Sequence, residues 1–154
     1  VDFVASSRSR VVEMTTVAIC DDHAMVRDAL AGVIGLYPDM NVVGVAESIA
    51  TLHHVIEKTH PDVAVIDIRL GNESGIDAAR DMRSLSPETK VIMLTSFSDD
   101  DYLVQAHDMG AWAFVLKSGT PDELVETVRS VASGIMLIED ADVDAARERL
   151  KHRP

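Results

Sequence analysis

Five short apolar segments recur along the chain, and longer amphipathic stretches separate them. The segments are Val17–Cys20, Val42–Ala46, Val63–Ile66, Val91–Leu94 and Ala113–Leu116. Continuous apolar runs of this length are typical of parallel strands that are covered on both faces. The stretches between them carry apolar residues at helical spacing. Five successive βα units predict an α/β fold, a doubly wound five-stranded parallel sheet in the flavodoxin-like strand order 2-1-3-4-5 with helices on both faces.

The length of 154 residues favours a single domain with short flanking segments. We predict an N-terminal extension over 1–15, the α/β domain over 16–134 and a C-terminal linker or terminal helix over 135–154. The last segment is expected to add one extra helix, because its start is acidic and its end is basic, which suits the helix macrodipole.

The net charge of −12 narrows the possible partners of the chain. Nucleic acid and anionic membrane surfaces attract clustered Lys and Arg, so we expect no direct nucleic acid contact by this chain and no membrane binding. No stretch is apolar enough to span a bilayer, and the first residues lack the apolar core of a signal peptide. We therefore expect a cytoplasmic location.

Polar side chains stand where four of the predicted strands end. Asp21 and Asp22 follow the first strand, Asp67 follows the third, Thr95 follows the fourth and Lys117 follows the fifth. The carboxyl ends of parallel strands share one edge of a sheet, and ligands bind there where the strand order reverses. We therefore expect these five side chains to meet at that edge.

Three carboxylates in one place repel one another and require a compensating positive charge. Carboxylate oxygens at an open edge favour Mg²⁺, or the similar Mn²⁺, which keeps waters and accepts phosphate oxygens. Lys117 supplies a second positive charge and Thr95 a hydroxyl donor. Each residue alone has a simpler explanation, since Asp often caps helices and Lys is usually solvated. The combination favours phosphoryl transfer to an aspartate.

These residues lie in segments that resemble the receiver domains of two-component response regulators, most closely those of the NarL/FixJ (LuxR-type) subfamily. The segments are Ala18–His23, Pro61–Arg69, Val91–Phe97 and Gly110–Lys117. The similarity extends from about Thr16 to Gly134 without a large gap. This resemblance implies a signalling switch that is not an enzyme and that receives its phosphoryl group from a histidine kinase.

The resemblance also implies a role for each residue of the predicted site. Asp67 corresponds to the phospho-acceptor. Asp21 and Asp22 correspond to the acidic pair that holds Mg²⁺ together with Asp67 and the backbone carbonyl of Arg69. These four residues form the predicted metal site.

Three further residues correspond to the switch and phosphoryl-binding positions of the family, namely Thr95, Lys117 and Phe114. Two features depart from the family pattern. Phe114 stands where the switch aromatic is often Tyr, and Gly71 stands where Pro is usual. Because Gly lacks the fixed φ of Pro, we expect the loop around Gly71 to be more mobile.

Members of this subfamily usually carry a C-terminal helix-turn-helix domain that binds DNA, and none lies within these 154 residues. The segment after Gly134 is therefore either the linker to such a domain or the terminal helix of a single-domain regulator. Phosphorylation is expected to control an output, which is transcription if a helix-turn-helix domain follows, and homodimerisation on phosphorylation is possible.

Two alternative functions share part of this residue pattern. A haloacid-dehalogenase-like phosphatase uses similar chemistry but places a second Asp two residues after its nucleophile, and here Asp67 is followed by Ile68 and Arg69. A receiver-like interaction module that works without phosphate is compatible with Gly71 and Phe114, but the complete set of acidic, hydroxyl and ammonium residues argues against it.

The stretch between the fourth and fifth strands, Ser98–Gly110, has the thinnest apolar stripe of the predicted helices. A helix with little apolar surface to bury is held weakly. We therefore expect this helix to shift most readily.

Overall fold

The structure is a computed structural model that describes residues 14–153. The predicted N-terminal extension, apart from its last two residues, lies outside the described part. The strands are β1 (Thr15–Cys20), β2 (Met40–Ala46), β3 (Val63–Asp67), β4 (Arg69–Leu70), β5 (Glu73–Ser74), β6 (Lys90–Thr95) and β7 (Ala113–Leu116). The helices are α1 (Ala24–Ile34), α2 (Ile49–Thr59), α3 (Gly75–Leu85), α4 (Asp100–Asp108), α5 (Pro121–Ala132) and α6 (Asp140–Lys151).

The main sheet has five parallel strands in the order β2-β1-β3-β6-β7. Counting only these strands, the order is 2-1-3-4-5, so the flavodoxin-like fold predicted from the sequence is confirmed. Successive side chains of a strand point to opposite faces of the sheet. Val17 and Ile19 accordingly pack with α1 and α5, whereas Ala18 and Cys20 pack with the helices of the other face.

Two helix starts follow from residue types that satisfy free backbone N–H groups. Ser48 accepts from the backbone N–H of Thr51, whose hydroxyl accepts from the Ser48 N–H, and this reciprocal pair forms a capping box at α2. Thr120 accepts from the N–H of Glu123, and Pro121 occupies the first position of α5.

The C-terminal helix α6, which was expected as an extra helix, packs against α4. Val143 and Ala146 of α6 are buried in the same apolar cluster as Val104 and Ala106 of α4. Arg149 also donates two hydrogen bonds, of 2.8 and 2.9 Å, to the carboxylate of Asp100. The apolar stripe of α4 therefore understates what holds this helix, because the stripe counts only burial against the sheet and omits the contact with α6.

A second unforeseen feature is the antiparallel hairpin of β4 and β5 directly after β3. Gly71 turns this hairpin with a φ of +63°, and its N–H donates to Asp22 Oδ2 at 2.7 Å. Proline, with φ near −65° and no N–H, does not fit this conformation. Gly71 therefore provides both the left-handed conformation and the free N–H that this turn requires, and proline could provide neither.

No helix within residues 14–153 has the combined length and apolar character required to cross a bilayer.

Candidate functional site

The structure brings the predicted polar residues to one edge of the sheet. A cleft of about 300 Å³ lies there, between the ends of β1, β3 and β6. Its walls include Asp22, Asp67, Arg69, Gly71 and Thr95. Each strand delivers its last residues to this edge because all five strands run in parallel.

Lys117 joins two of the buried carboxylates. Its Nζ lies 2.6 Å from Asp67 Oδ2 and 2.8 Å from Asp21 Oδ2. Asp21 is fully buried and Asp67 is only 3% exposed. Two buried carboxylates therefore share one ammonium group, and one negative charge remains without a partner of its own.

Burial and the shared ion pair act in opposite directions on the pKa values of Asp67 and Lys117. Burial raises the pKa of Asp67, and neither the hydrogen bond from Lys117 nor that from the Arg69 N–H fully offsets it. Burial lowers the pKa of Lys117, but the close contacts with Asp21 and Asp67 more than compensate, so its pKa lies above the usual value. Burial therefore raises the pKa of Asp67 despite its cation, whereas the two carboxylates raise the pKa of Lys117 despite its burial.

The donors in this cluster fit a hard divalent cation. Asp21, Asp22, His23 and Asp67 each offer one ligand atom, and these atoms lie within 4.8 Å of one another. Asp21 Oδ2 is buried and receives no hydrogen bond of good geometry, despite its proximity to Lys117. A buried carboxylate oxygen in this condition is costly unless a positive charge compensates it. Oxygen-rich clusters of this kind suit Mg²⁺.

The two predicted switch residues lie in different surroundings. Thr95 is buried at the cleft, where its hydroxyl donates to the Phe97 carbonyl at 3.2 Å and accepts from the Phe97 N–H at 3.3 Å. Phe114 is half-buried on the other side of β7, beside a separate cleft of about 330 Å³ between α4 and α6. The structure therefore places Thr95 beside Asp67 but keeps Phe114 apart from the acceptor.

Two residues of the site were not predicted from the sequence. His23 directs Nδ1 toward the carboxylates of Asp21 and Asp22, at 3.2 and 3.3 Å. Tyr102, in the first turn of α4, accepts a hydrogen bond of 3.2 Å from Arg69 Nε. The position of His23 beside the acidic pair was a usable signal. The sequence carried none for Tyr102, because its contact depends on how α4 lies against the β4–β5 hairpin.

Comparison with known proteins gives a consistent result. Residues 17–129 match the family model described as the response regulator receiver domain. The DNA-binding transcriptional activator DevR/DosR of Mycobacterium tuberculosis is 34% identical over 138 residues, which are 90% of this chain and 64% of that protein.

Solved structures agree with this match. The signal receiver domain of the putative response regulator NarL from Mycobacterium tuberculosis superposes with a TM-score of 0.75 at 32% identity, covering 79% of this chain and 98% of that one. A LuxR-family two-component response regulator from Aurantimonas superposes with a TM-score of 0.78 at 26% identity, covering 90% and 99%. Curated relatives are longer, and the chain spans 64% of DevR/DosR and about half of several others.

Proposed function

The chain belongs to the response regulator receiver domain family, and from that membership we propose that it is a phosphorylation switch whose acceptor is Asp67. The single observation that supports this most strongly is the position of the Asp67 carboxylate. It is buried at the edge of the sheet, ion-paired with Lys117 and adjacent to a second buried carboxylate, Asp21. The donor of the phosphoryl group is a histidine kinase.

In the proposed reaction, a carboxylate oxygen of Asp67 forms a bond to phosphorus while the bond from phosphorus to the donor's imidazole nitrogen breaks. The leaving imidazole keeps the electron pair of the broken bond. Asp21, Asp22, Asp67 and the Arg69 carbonyl would hold Mg²⁺, which neutralises charge and orients phosphoryl oxygens when it is bound. Lys117 stays beside Asp67 and stabilises the negative charge of the transferred group.

The new group adds about −1.5 to −2 charges at neutral pH. The Thr95 hydroxyl donates a hydrogen bond to the Phe97 carbonyl in this structure. Because Thr95 also lines the cleft, its hydroxyl could donate to a phosphoryl oxygen on Asp67 instead. Movement of Thr95 shifts the chain that leads into α4, which begins five residues later. Phe114 can then change its position in the cleft between α4 and α6.

The wider role follows from the family and its relatives. We propose that residues 16–134 act as the receiver domain in the cytoplasm and that 135–154 connect it to an output. DevR/DosR is named as a DNA-binding transcriptional activator, and by analogy the output is transcription through a C-terminal DNA-binding domain. Phosphorylation is proposed to promote a homodimer.

Incubation with acetyl phosphate and Mg²⁺ tests the acceptor. The wild-type chain should gain one phosphoryl mass that hydroxylamine removes, as expected for an acyl phosphate. Asp67→Asn should abolish the gain, because the amide is not a comparable nucleophile. Asp28→Asn, which changes an exposed carboxylate on α1, is the matched control and should be labelled normally. Full labelling of Asp67→Asn would place the acceptor elsewhere.

A further inference from the structure

We propose that His23 is a nitrogen ligand of the cation site, which increases its affinity for transition-metal dications relative to Mg²⁺. The inference rests on the cation site of the proposed function. His23 is not one of the acidic residues Asp21, Asp22 and Asp67, and those carboxylates alone do not determine which metal binds.

The first support is the position of His23 at the start of α1. It is the N-cap residue, where Ser, Thr, Asp or Asn would ordinarily accept a hydrogen bond from the backbone. The His23 side chain makes no such cap. Its Nδ1 turns instead to the two carboxylates that precede it, 3.2 Å from Asp21 Oδ1 and 3.3 Å from Asp22 Oδ1.

The second support is the way in which other groups occupy the remaining carboxylate oxygens. Lys117 lies against Oδ2 of both Asp21 and Asp67, and the N–H of Gly71 donates to Oδ2 of Asp22. Oδ1 of Asp21 and Oδ1 of Asp22 are turned away from these donors, although Oδ1 of Asp21 also accepts the backbone N–H of His23 at 2.8 Å. These are the two oxygens beside His23 Nδ1. Lys117 Nζ lies 3.4 Å from His23 Nδ1, so a cation bound to this nitrogen would replace that contact.

The spacing fits a shared coordination sphere. Adjacent ligands of an octahedral cation with bond lengths near 2.1 Å lie about 3.0 Å apart. The two separations between His23 Nδ1 and the carboxylate oxygens are close to that value. His23 also forms part of the wall of the cleft, so a cation entering from solvent can reach it.

The chemical consequence is a change in metal preference. Carboxylates and carbonyls suffice for Mg²⁺, whereas the affinity gained from an imidazole nitrogen rises along the series from Mn²⁺ to Ni²⁺. Loss of His23 should therefore weaken Ni²⁺ binding strongly and Mg²⁺ binding little.

Metal binding to the unphosphorylated full chain tests this inference. Mg²⁺ binding is followed by amide shifts around Asp21, Asp22 and Asp67. Bound Mn²⁺ is examined by pulsed electron paramagnetic resonance for coupling to a coordinated ¹⁴N nucleus. Ni²⁺ is titrated as a competitor of that Mn²⁺, so that only the shared site is reported.

The variants are His23→Ala and His23→Ser, the second of which retains a hydroxyl that can cap α1. His54→Ala, an exposed histidine on α2, is the control. Both His23 variants should lose the ¹⁴N coupling and weaken Ni²⁺ competition by about tenfold or more. Their Mg²⁺ affinity should stay within about twofold of wild type, and His54→Ala should change neither property.

Two results would contradict the inference, and they differ in meaning. Mn²⁺ that binds without ¹⁴N coupling, or a coupling that survives in both His23 variants, would show that His23 only bridges two carboxylates. Absence of both Mg²⁺ and Mn²⁺ from the cluster would reject the cation site itself and with it the Mg²⁺-dependent reaction proposed above.

Discussion

Two glycines shape the loop that follows the acceptor, and each does so for a different reason. Gly71 adopts a φ of +63° and donates its N–H to Asp22. Gly75 begins α3 so close to β3 that a Cβ would lie 1.8 Å from the backbone oxygen of Asp67. A side chain at Gly75 would thus require Asp67 itself to move. These constraints couple the backbone of the loop to the acidic cluster.

Substitution of Gly71 tests the turn. Gly71→Ala should lower the free energy of unfolding by about 1–2 kcal/mol, because a left-handed conformation strains a residue with a Cβ. Gly71→Pro should be more damaging, since it also removes the N–H that Asp22 accepts. Urea denaturation measures both effects.

Gly32→Ala is the matched control for this pair. Gly32 lies within α1 with open space around it, so alanine should stabilise the chain by up to about 1 kcal/mol. A Gly71→Pro variant as stable as wild type would show that the positive φ at this position is not required.

We expect the contact between α4 and α6 to depend on pH through His107. Its hydrogen bonds to Asp108 and then to Asp140 raise its pKa, although burial opposes them, and Arg147 of α6 also faces Asp108. A raised histidine pKa contributes stability that is complete below the ordinary value near 6.5 and is lost as the pH rises through the folded value. Hydrogen-exchange protection of α6, corrected for intrinsic rates, should therefore decrease above neutral pH.

His107→Gln should remove this dependence, because glutamine does not titrate. If the variant retained the pH dependence of the wild type, another group would have to be responsible.

At the scale of elements, α4 is held between the site and the C-terminal helix. Arg69 of the β4–β5 hairpin bonds to Tyr102 in the first turn of α4, while Arg149 of α6 bonds to Asp100 in the same turn. The beginning of α4 is therefore linked both to the residue two positions after the acceptor and to α6. A displacement of this turn would therefore change the hydrogen bonds of both Arg69 and Arg149.

Val143→Asp tests whether α6 depends on its apolar face. Val143 is 1% exposed, and an unpaired carboxylate there would be too costly to keep buried, so α6 should detach from α4. Hydrogen exchange should rise in 100–108 and 140–151 and stay unchanged in α5. Asp144→Asn, on the exposed face of α6, should leave the wild-type pattern. Full protection of α4 in Val143→Asp would mean that α6 adds little to its stability.

At the scale of the whole molecule, phosphorylation adds charge to a chain that already carries a net charge of −12. Nearby compensation comes from Lys117, which two carboxylates already share. The response should spread along the elements that contact Thr95 and Lys117, and these are β6, α4 and β7. Because α6 covers α4, the C-terminal helix lies on the same path.

We expect hydrogen-exchange changes on phosphorylation to concentrate in residues 95–116, to extend into α6 and to be smaller around Gly71. Helix α5 buries Leu124, Val125, Val128 and Val131 and should change less. Thr95→Ala should permit phosphorylation of Asp67 yet suppress these changes, because the variant lacks the hydroxyl that would bond to the phosphoryl group. Changes confined to α1 and α2, or unchanged in Thr95→Ala, would contradict this route.

Local pattern alone predicted the five strands of the main sheet and the acidic, hydroxyl and lysine residues that stand at their ends, and the succession of βα units predicted the strand order. The reason is that a buried parallel strand must be a short apolar run, and the residue after each run necessarily lies at the same edge of the sheet. Asp21, Asp67 and Lys117 could therefore be expected to meet although up to 96 positions separate them.

Only the tertiary structure decided which atoms pair at that edge and what covers α4. The sharing of Lys117 between two Oδ2 atoms, the turn of His23 toward Oδ1 and the bond from Arg69 to Tyr102 depend on side-chain directions that no periodicity specifies. Docking of α6 likewise joins Arg149 to Asp100 across 49 positions. Such contacts depend on the relative placement of whole elements, whereas a sequence pattern reports only which face of each element is apolar.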